Sequence, residues 1–364
     1  MRLALIGPLP PPAGGMANQT RQLAELLRGA GASVTLVQTN SAYRPAWIAQ
    51  VPVVRALFRL LPFLWALWRA AARCQLFHVM ANSGWSWHLF AAPAIRIAAW
   101  RGVPVVVNYR GGEAGPFLAR SAARVKRTLR HATVLAVPSG FLQAVFSQHG
   151  MDAAVVPNIV DLALFRPPAE RRPRGAHLVV LRNLEPIYDN ATAVRALALV
   201  RRSRPDARLS IAGTGPDEAM LRALATELGV ADAVRFMGRL DRDAAAALYR
   251  DADAALNPST VDNMPNSVLE AMASAVPVVS TDVGGVPFIV VDGTTALLVP
   301  ARDPAAMAHA VMRLLDNHSL GRSLAAAGQA EVQRYTWQRV SAVLAQVYRQ
   351  ALAKSAPSIV HPSA

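Results

Sequence analysis

A single cysteine, Cys74, occurs in 364 residues, which excludes a disulfide within the chain and leads us to expect a reducing compartment. Its expected role is that of a small buried hydrophobe. No uninterrupted apolar run reaches the roughly 18 residues that a membrane span requires, so no integral helix is expected. Met1 to Ile6 is too short for the apolar region of a signal peptide and ends in Gly-Pro as a first strand does. The eight histidines are scattered, with neither a His-x3-His pair nor paired carboxylates, and no metal site is expected. Acidic residues are also scarce: none occurs between Glu25 and Glu113. A solvated surface with no polyanion nearby rarely has such a gap, so a nucleic acid or an anionic membrane face is implied. No helix-turn-helix, zinc or stacking-aromatic motif accompanies the charge, and this argues against nucleic acid.

Residues 1 to 170 hold 17 Arg and Lys against 5 Asp and Glu, a balance of +12, out of a net charge of +15 for the whole chain. The remainder is close to neutral, so the two halves are expected to meet different partners. The length predicts two or three domains, and 53% apolar residues suffices for sizeable cores.

Short apolar strands alternate with amphipathic helices twice over. In the first half, strands are predicted at Leu3 to Ile6, Val34 to Val37, Leu76 to Met80, Pro104 to Asn108 and Val134 to Pro138, with a helix over Gln19 to Arg28. The second half restarts at Leu178 to Leu181, followed by Leu209 to Ala212, Val234 to Met237, Ala254 to Leu256, Val278 to Ser280 and Ala296 to Val299. This is the α/β pattern of two doubly wound parallel sheets. Pro157 to Gly175, rich in proline and arginine, reads as the linker. The expected division is 1–165 for the first domain, with 335–364 packing back on it, and 166–334 for the second. A final helix over Trp337 to Leu352 is predicted to make that return. Ligands of such sheets sit beyond the carboxyl ends of the strands, and two facing domains would leave a central cleft.

The most informative stretch is Pro258 to Gly285, PSTVDNMPNSVLEAMASAVPVVSTDVGG. It joins a loop, an apolar helix over Ser267 to Ala273 and a buried strand around Asp262 and Glu270. Free amides at the helix start, with the positive end of its dipole, favour a phosphate or another anion. Glu270 stands about one turn into the helix, where a carboxylate can accept two vicinal hydroxyls such as those of a ribose. Gly284 and Gly285 form a turn that a ligand can approach closely.

This stretch resembles the Glu-x7-Glu signature of family 4 (group 1) glycosyltransferases, retaining enzymes of the GT-B fold that use nucleotide sugars. The resemblance implies two Rossmann-like domains and a UDP-, GDP- or ADP-sugar as co-substrate, with no other cofactor and no metal. It implies that Glu270 holds the ribose, while Asn263, Met264, Asn266 and Ser267 supply amides around the sugar and phosphates. Asp262 departs from the pattern: it keeps the charge but falls short by one methylene, about 1.5 Å. Arg182 matches the Arg of the family's Gly-Arg-x5-Lys-Gly loop, which grips the diphosphate. The Lys is missing, with Ile187, Tyr188 and Asp189 near its place. Gly213 and Gly215 (AGTGP) resemble the loop near the nucleotide, although any tight turn before a helix presents similar glycines. Arg235 to Gly238, including Met237, resembles the edge beside the base. Asn158 and Asp161 (PNIVD) match the family's hinge sequence and are expected to be structural.

In the first half, Gly14 and Gly15 resemble the family's glycine loop, which nears the donor phosphates and the acceptor; a strand-to-helix turn without a ligand would look the same. Arg110, in RGGE, stands where the family has a His, and is expected to bind a phosphate of the donor or acceptor. Arg182, Asp262, Gly15 and Arg110 are therefore the residues implied for the chemistry.

Residues 44–73 form a basic, aromatic-rich amphipathic segment. On a helical wheel Arg55, Arg59, Arg69 and Arg73 fall within an arc of about 80°, while Val54, Leu57, Leu61, Leu64, Trp65 and Trp68 fill the other side. Pro62 is expected to kink it. Such segments lie in anionic membrane interfaces, and Arg120 to Arg130 adds a second basic stretch. A core-facing helix with a solvated arginine side fits the pattern equally.

The expectation is a glycosyltransferase peripherally bound to the cytoplasmic face of the inner membrane, acting on a lipid-linked, polysaccharide or lipopolysaccharide-type acceptor. The missing Lys and the Asp at 262 keep a non-catalytic GT-B scaffold or regulatory subunit as the alternative. A sugar-nucleotide epimerase would share the fold, and the matched signature argues against it.

Overall fold

The computed structural model describes residues 1–11, 14–41, 52–168 and 175–354, with backbone only over 52–57. It divides into two compact units: Met1–Pro157 with Val340–Ala364, and Asn158–Arg339.

The first unit is a parallel sheet of β1 (Arg2–Gly7), β2 (Ser33–Gln38), β3 (Leu76–Ala81), β4 (Val105–Tyr109), β5 (Val134–Val137) and β6 (Ala154–Val155), in the order β2-β1-β3-β4-β5-β6. Helices α1 (Gly15–Gly29), α2 (Pro52–Ala71), α3 (Ala92–Trp100), α4 (Ala114–Leu129) and α5 (Gly140–Ser147) connect the strands. All of β3 and β4 is buried, which is why LFHVMA and VVVNY read as continuous apolar runs. The two-residue β6 escaped the sequence reading, because Ala154 and Val155 are too few to show a period.

The second unit contains β7 (His177–Leu181), β8 (Arg208–Ala212), β9 (Val234–Gly238), β10 (Ala254–Asn257), β11 (Val278–Thr281) and β12 (Leu297–Val299), all parallel, in the order β12-β11-β10-β7-β8-β9. Its helices are α6 (Asn190–Val200), α7 (Glu218–Glu227), α8 (Arg242–Arg250), α9 (Asn266–Ala273), α10 (Pro304–Asp316) and α11 (His318–Glu331); α12 (Trp337–Ala353) joins the first unit from Val340 onward. Along β7, Leu178 and Val180 enter one core and Val179 the other, so successive side chains feed opposite faces of the sheet. Burying each contributes about 2 kcal/mol. The strand order reverses between β7 and β10, and that switch point is where open α/β sheets leave room for a ligand.

Two sequence readings are corrected. The stretch Asn158 to Phe165 is no free linker: Val160 and Phe165 are 5% and 2% exposed in the second unit's core, and the Val160 amide donates to the Tyr335 carbonyl at 2.9 Å. Residues 169–174 of the expected linker lie outside the described residues.

In α2, Pro62 lies inside the helix, and of the two readings left open for its apolar stripe the core-facing one fails for Leu61, Trp65 and Trp68, while Leu64 packs partly on the core. Phe63, Leu67, Ala70 and Ala71 face inward, whereas Leu61, Trp65 and Trp68 are exposed beside Phe58. The helix carries two apolar stripes, and a helical wheel cannot say which one meets the sheet. Residues 44–51 and the Arg55 side chain lie outside the described residues.

Candidate functional site

In the second unit the expected residues gather at the carboxyl ends of β7 and β10, at the switch point. Arg182 directly follows β7, and Asp262 lies in the loop after β10. Their side chains form an ion pair through Arg182 Nη2 and Asp262 Oδ2, each side chain being 10% exposed. The same nitrogen donates to Ser259 Oγ at 3.1 Å. Arg182 Nε is buried and has no hydrogen-bond partner among the described residues. The guanidinium carbon stands 4.2 Å from the centre of the Tyr188 ring. Asp262 Oδ1 accepts from the Asn263 amide at 3.1 Å. Burial pushes the Asp262 carboxyl up, while Arg182 and hydrogen bonds from Ser259 and Asn263 pull it back.

Helix α9 begins in the same loop at Asn266, with Pro265 at its N-cap and no side-chain cap bond. Ser267 Oγ is buried there without a partner among the described residues. Asn158 holds the turn before the helix, donating from Nδ2 to the Met264 carbonyl and to Asn266 Oδ1, each at 2.8 Å. Asn263 and Met264 are themselves buried. One turn into α9, the half-buried Glu270 has its carboxyl pushed up to about 8 by desolvation, against the pull of Arg242 and Arg182. Burial, with Glu270 nearby, raises Tyr249, whose hydroxyl donates to the Ser267 carbonyl at 2.9 Å.

Three glycines of this unit are needed by the chain itself. A Cβ on Gly213 (φ +156°) would lie 2.0 Å from the Arg182 carbonyl oxygen, and one on Gly215 would lie 2.1 Å from that of Leu184. AGTGP thus presses on the backbone that carries Arg182. A Cβ on Gly285 would come within 1.7 Å of the Asn263 carbonyl oxygen. Met237, next to last in β9, is half-buried, and the Gly238 carbonyl that follows accepts from the Gly213 amide at 2.8 Å. A cavity of about 340 Å³ lies at the opposite, amino-terminal end of the sheet, lined by His177, Asp206, Arg208, Asp251 and Asp253, and holds none of the expected donor residues.

In the first unit Gly14 caps α1 in an extended conformation, and a Cβ on Gly14 or Gly15 would meet nothing within 4 Å. Arg110 follows β4 and is held in a polar chain. Its Nη1 donates to Gln19 Oε1 at 2.7 Å and its Nε to Asn108 Oδ1 at 3.1 Å. Asn108 Nδ2 then faces His78 Nε2 at 3.1 Å, and His78 Nδ1 faces the Tyr348 hydroxyl at 2.7 Å. Burial, with Arg110 nearby, lowers His78 to about 3, so its ring is neutral. Burial also lowers Arg110 to about 10, still charged at neutral pH.

Sequence reasoning missed Ser259, Gln19, Asn108, His78 and Tyr348. The one available hint was a polar residue inside each buried run, as in LFHVMA and VVVNY. Among the described residues no group of three or more His, Cys, Asp or Glu is placed to hold a metal ion.

With this geometry in view, the comparisons with known proteins are specific. A family model described as Glycosyltransferase Family 4 matches residues 13–164, and one described as Glycosyl transferases group 1 matches residues 177–317. Glycogen synthase of Mycobacterium tuberculosis is 34% identical over 275 residues, covering 71% of this chain and 66% of that protein. The D-inositol 3-phosphate glycosyltransferase of Acidothermus cellulolyticus is 36% identical over 218 residues, 55% of this chain and 48% of its own length. The chain thus spans about two thirds of the first relative and half of the second. In three dimensions it resembles sucrose-phosphate synthase from Thermosynechococcus elongatus, with a TM-score of 0.74 and 22% identity over 97% of this chain and 99% of that one. Anabaena HepE in complex with UDP and glucose gives a TM-score of 0.75 at 17% identity, over 97% of this chain and 100% of that one. These likenesses establish the GT-B fold of two parallel-sheet α/β domains. Two family models over most of the sequence, and a relative 34% identical across both halves, place this chain in the family 4 (group 1) glycosyltransferases.

Proposed function

We propose that the protein is a retaining glycosyltransferase that moves a sugar from a nucleotide sugar to a lipid-linked or polysaccharide-type acceptor at the cytoplasmic face of the membrane. The observation that carries the donor half is the convergence of Arg182, the start of α9 with its positive dipole end, and Glu270 at one switch point. An arginine with helix amides suits a diphosphate, and a carboxylate one turn away suits vicinal ribose hydroxyls. In the transfer, the bond from the anomeric carbon to the phosphate oxygen breaks and a bond to the acceptor oxygen forms on the same face. The acceptor proton passes to the departing diphosphate, so no protein nucleophile is needed. What the protein contributes is stabilisation of the leaving charge, each fixed donor contributing about 2 to 4 kcal/mol.

The membrane half is supported by the exposed face of α2 and α3. Phe58, Leu61, Trp65, Trp68 and Trp100 are all exposed, Trp100 at 77%. Trp68 and Trp100 pack at a tilt of 52° with ring centres 4.9 Å apart, while Arg69 lies over Trp65 and Arg101 over Trp68 at 4.4 and 4.5 Å. Arg120, Arg124, Lys126, Arg127 and Arg130 are exposed on and after α4. Exposed aromatics interleaved with arginines suit an anionic lipid interface. No helix among the described residues is long and apolar enough to cross a membrane.

The experiment is a panel of UDP-, GDP- and ADP-sugars assayed for binding and for slow hydrolysis, with UDP-glucose first because HepE is seen with UDP and glucose. Binding with hydrolysis is the expected result. Binding without turnover would favour the scaffold alternative, and no binding at all would end the donor assignment.

A further inference from the structure

We propose that Tyr188, Ser259 and Asp262 together set Arg182 as a single-cation diphosphate clamp, and that Asp262 acts through Arg182 instead of on the transferred sugar. The inference rests on the nucleotide-sugar reading above and assigns the parts of its phosphate site.

Asp262 has little left to offer a sugar. One carboxylate oxygen is taken by Arg182 Nη2 and the other by the Asn263 amide, and the residue is 8% exposed. The pairing is fixed from both sides of the switch point. On the β10 side, the Asp262 carbonyl accepts from the Gly285 amide at 2.8 Å, and Ser259, fully buried, bonds Arg182. On the β7 side, the ring of Tyr188 lies against the guanidinium. Tyr188 closes a short 3-10 turn, Pro186–Tyr188, that is welded to the β10 loop. Both the amide and the hydroxyl of Thr260 donate to the Ile187 carbonyl, at 2.8 and 3.1 Å. The backbone that carries the ring is therefore fixed to the β10 loop.

A guanidinium held on one face by an aromatic ring and on one edge by a carboxylate keeps a defined direction for its remaining N–H groups. The Nε edge, buried and without a partner among the described residues, is a donor waiting for an oxygen acceptor. Because Asp262 neutralises Arg182 in the free protein, a diphosphate competes with that carboxylate for the same cation. The ring of Tyr188 supplies orientation at the place where the family resemblance leads one to expect a second cation.

The test measures affinity by calorimetry for inorganic pyrophosphate, UDP and UDP-glucose, without any transfer assay. Tyr188→Leu should weaken all three about tenfold, and Tyr188→Phe, which keeps the ring, should rescue most of the loss. Asp262→Asn removes the competing anion and should tighten all three by a common factor of several-fold. Tyr188→Leu with wild-type pyrophosphate and UDP affinity would overturn the proposal. So would an Asp262→Asn effect confined to UDP-glucose, which would return Asp262 to the sugar, and so would failure of the wild type to bind pyrophosphate or UDP. Transfer lost with these binding results intact would instead count against the glycosyltransferase reading alone.

Discussion

The imidazole Nδ1 of His78 and the hydroxyl of Tyr348 lie 2.7 Å apart, although 270 positions separate them in the sequence. The contact ties α12 to the buried strand β3 of the first unit. Asn108 turns its Oδ1 to Arg110, so its Nδ2 faces His78, whose Nε2 must accept and whose Nδ1 must carry the proton. Tyr348→Phe therefore strands a buried donor, and a loss of about 1 to 3 kcal/mol is expected in urea unfolding. His78 is held near 3, below its usual 6.5, so between those values the unfolded chain binds more protons. Its contribution to stability is lost as pH falls through that window. A Tyr348→Phe protein as stable as wild type would mean that the contact is not made in solution.

Glu270 has the opposite sign. Its folded carboxyl titrates near 8 in place of the usual 4.5, so across that interval the folded protein holds a proton that the unfolded chain has released. Stability from this group falls as pH rises from about 4.5 to 8. Glu270→Gln should raise the Tm of the ligand-free protein at pH 8 and leave it nearly unchanged at pH 5. The same variant should weaken UDP-glucose binding by roughly 1 to 3 kcal/mol at pH 8 through loss of charge-assisted bonds. Superimposable Tm profiles for the two proteins would refute the placement of Glu270 in a low-dielectric site.

Gly285→Ala places a methyl group within 1.7 Å of the Asn263 carbonyl oxygen at an ordinary backbone angle, so the effect is steric. The Asp262 to Met264 turn must move. A stability loss of roughly 1 to 3 kcal/mol is expected, with weakened binding of UDP-glucose. Gly115, in α4, has open space around its Cα, and Gly115→Ala should stabilise slightly, by about 0.5 to 1 kcal/mol. Equal outcomes for the two substitutions in a Tm measurement would contradict this packing.

Replacing Trp65 and Trp68 by Ser, with Arg69 and Arg73 by Gln, should abolish most sedimentation with anionic vesicles while leaving UDP-glucose affinity intact. Each arginine near the lipid surface contributes about 1 kcal/mol. Wild-type binding should also fall with salt, since exposed charges are screened within about 10 Å at 0.1 M. Full sedimentation of the quadruple variant would show that this face does not contact lipid.

The apolar runs HLVVL and LFHVM were enough to place β7 and β3, because a strand buried on both faces has no polar side to confuse the reading. The helix start, expected at Ser267 and found at Asn266, was legible to within one residue for a similarly local reason, a proline-bearing polar loop followed by an apolar run. Local chemistry thus determined two doubly wound sheets, the loop-to-helix turn before α9 and the family resemblance. Which residues meet was decided by strand order. Arg182 and Asp262, 80 positions apart, become partners because β7 lies beside β10 at the reversal of the sheet. His78 meets Tyr348 because α12 returns to the first unit. The faces of α2 show the same limit: its residues alone offer two apolar stripes, and only packing selected Phe63 and Leu67 for the core and left Trp65 and Trp68 to solvent. Sequence periodicity records how much apolar surface a helix carries, whereas the direction of its burial depends on neighbours that the chain meets only once it is folded.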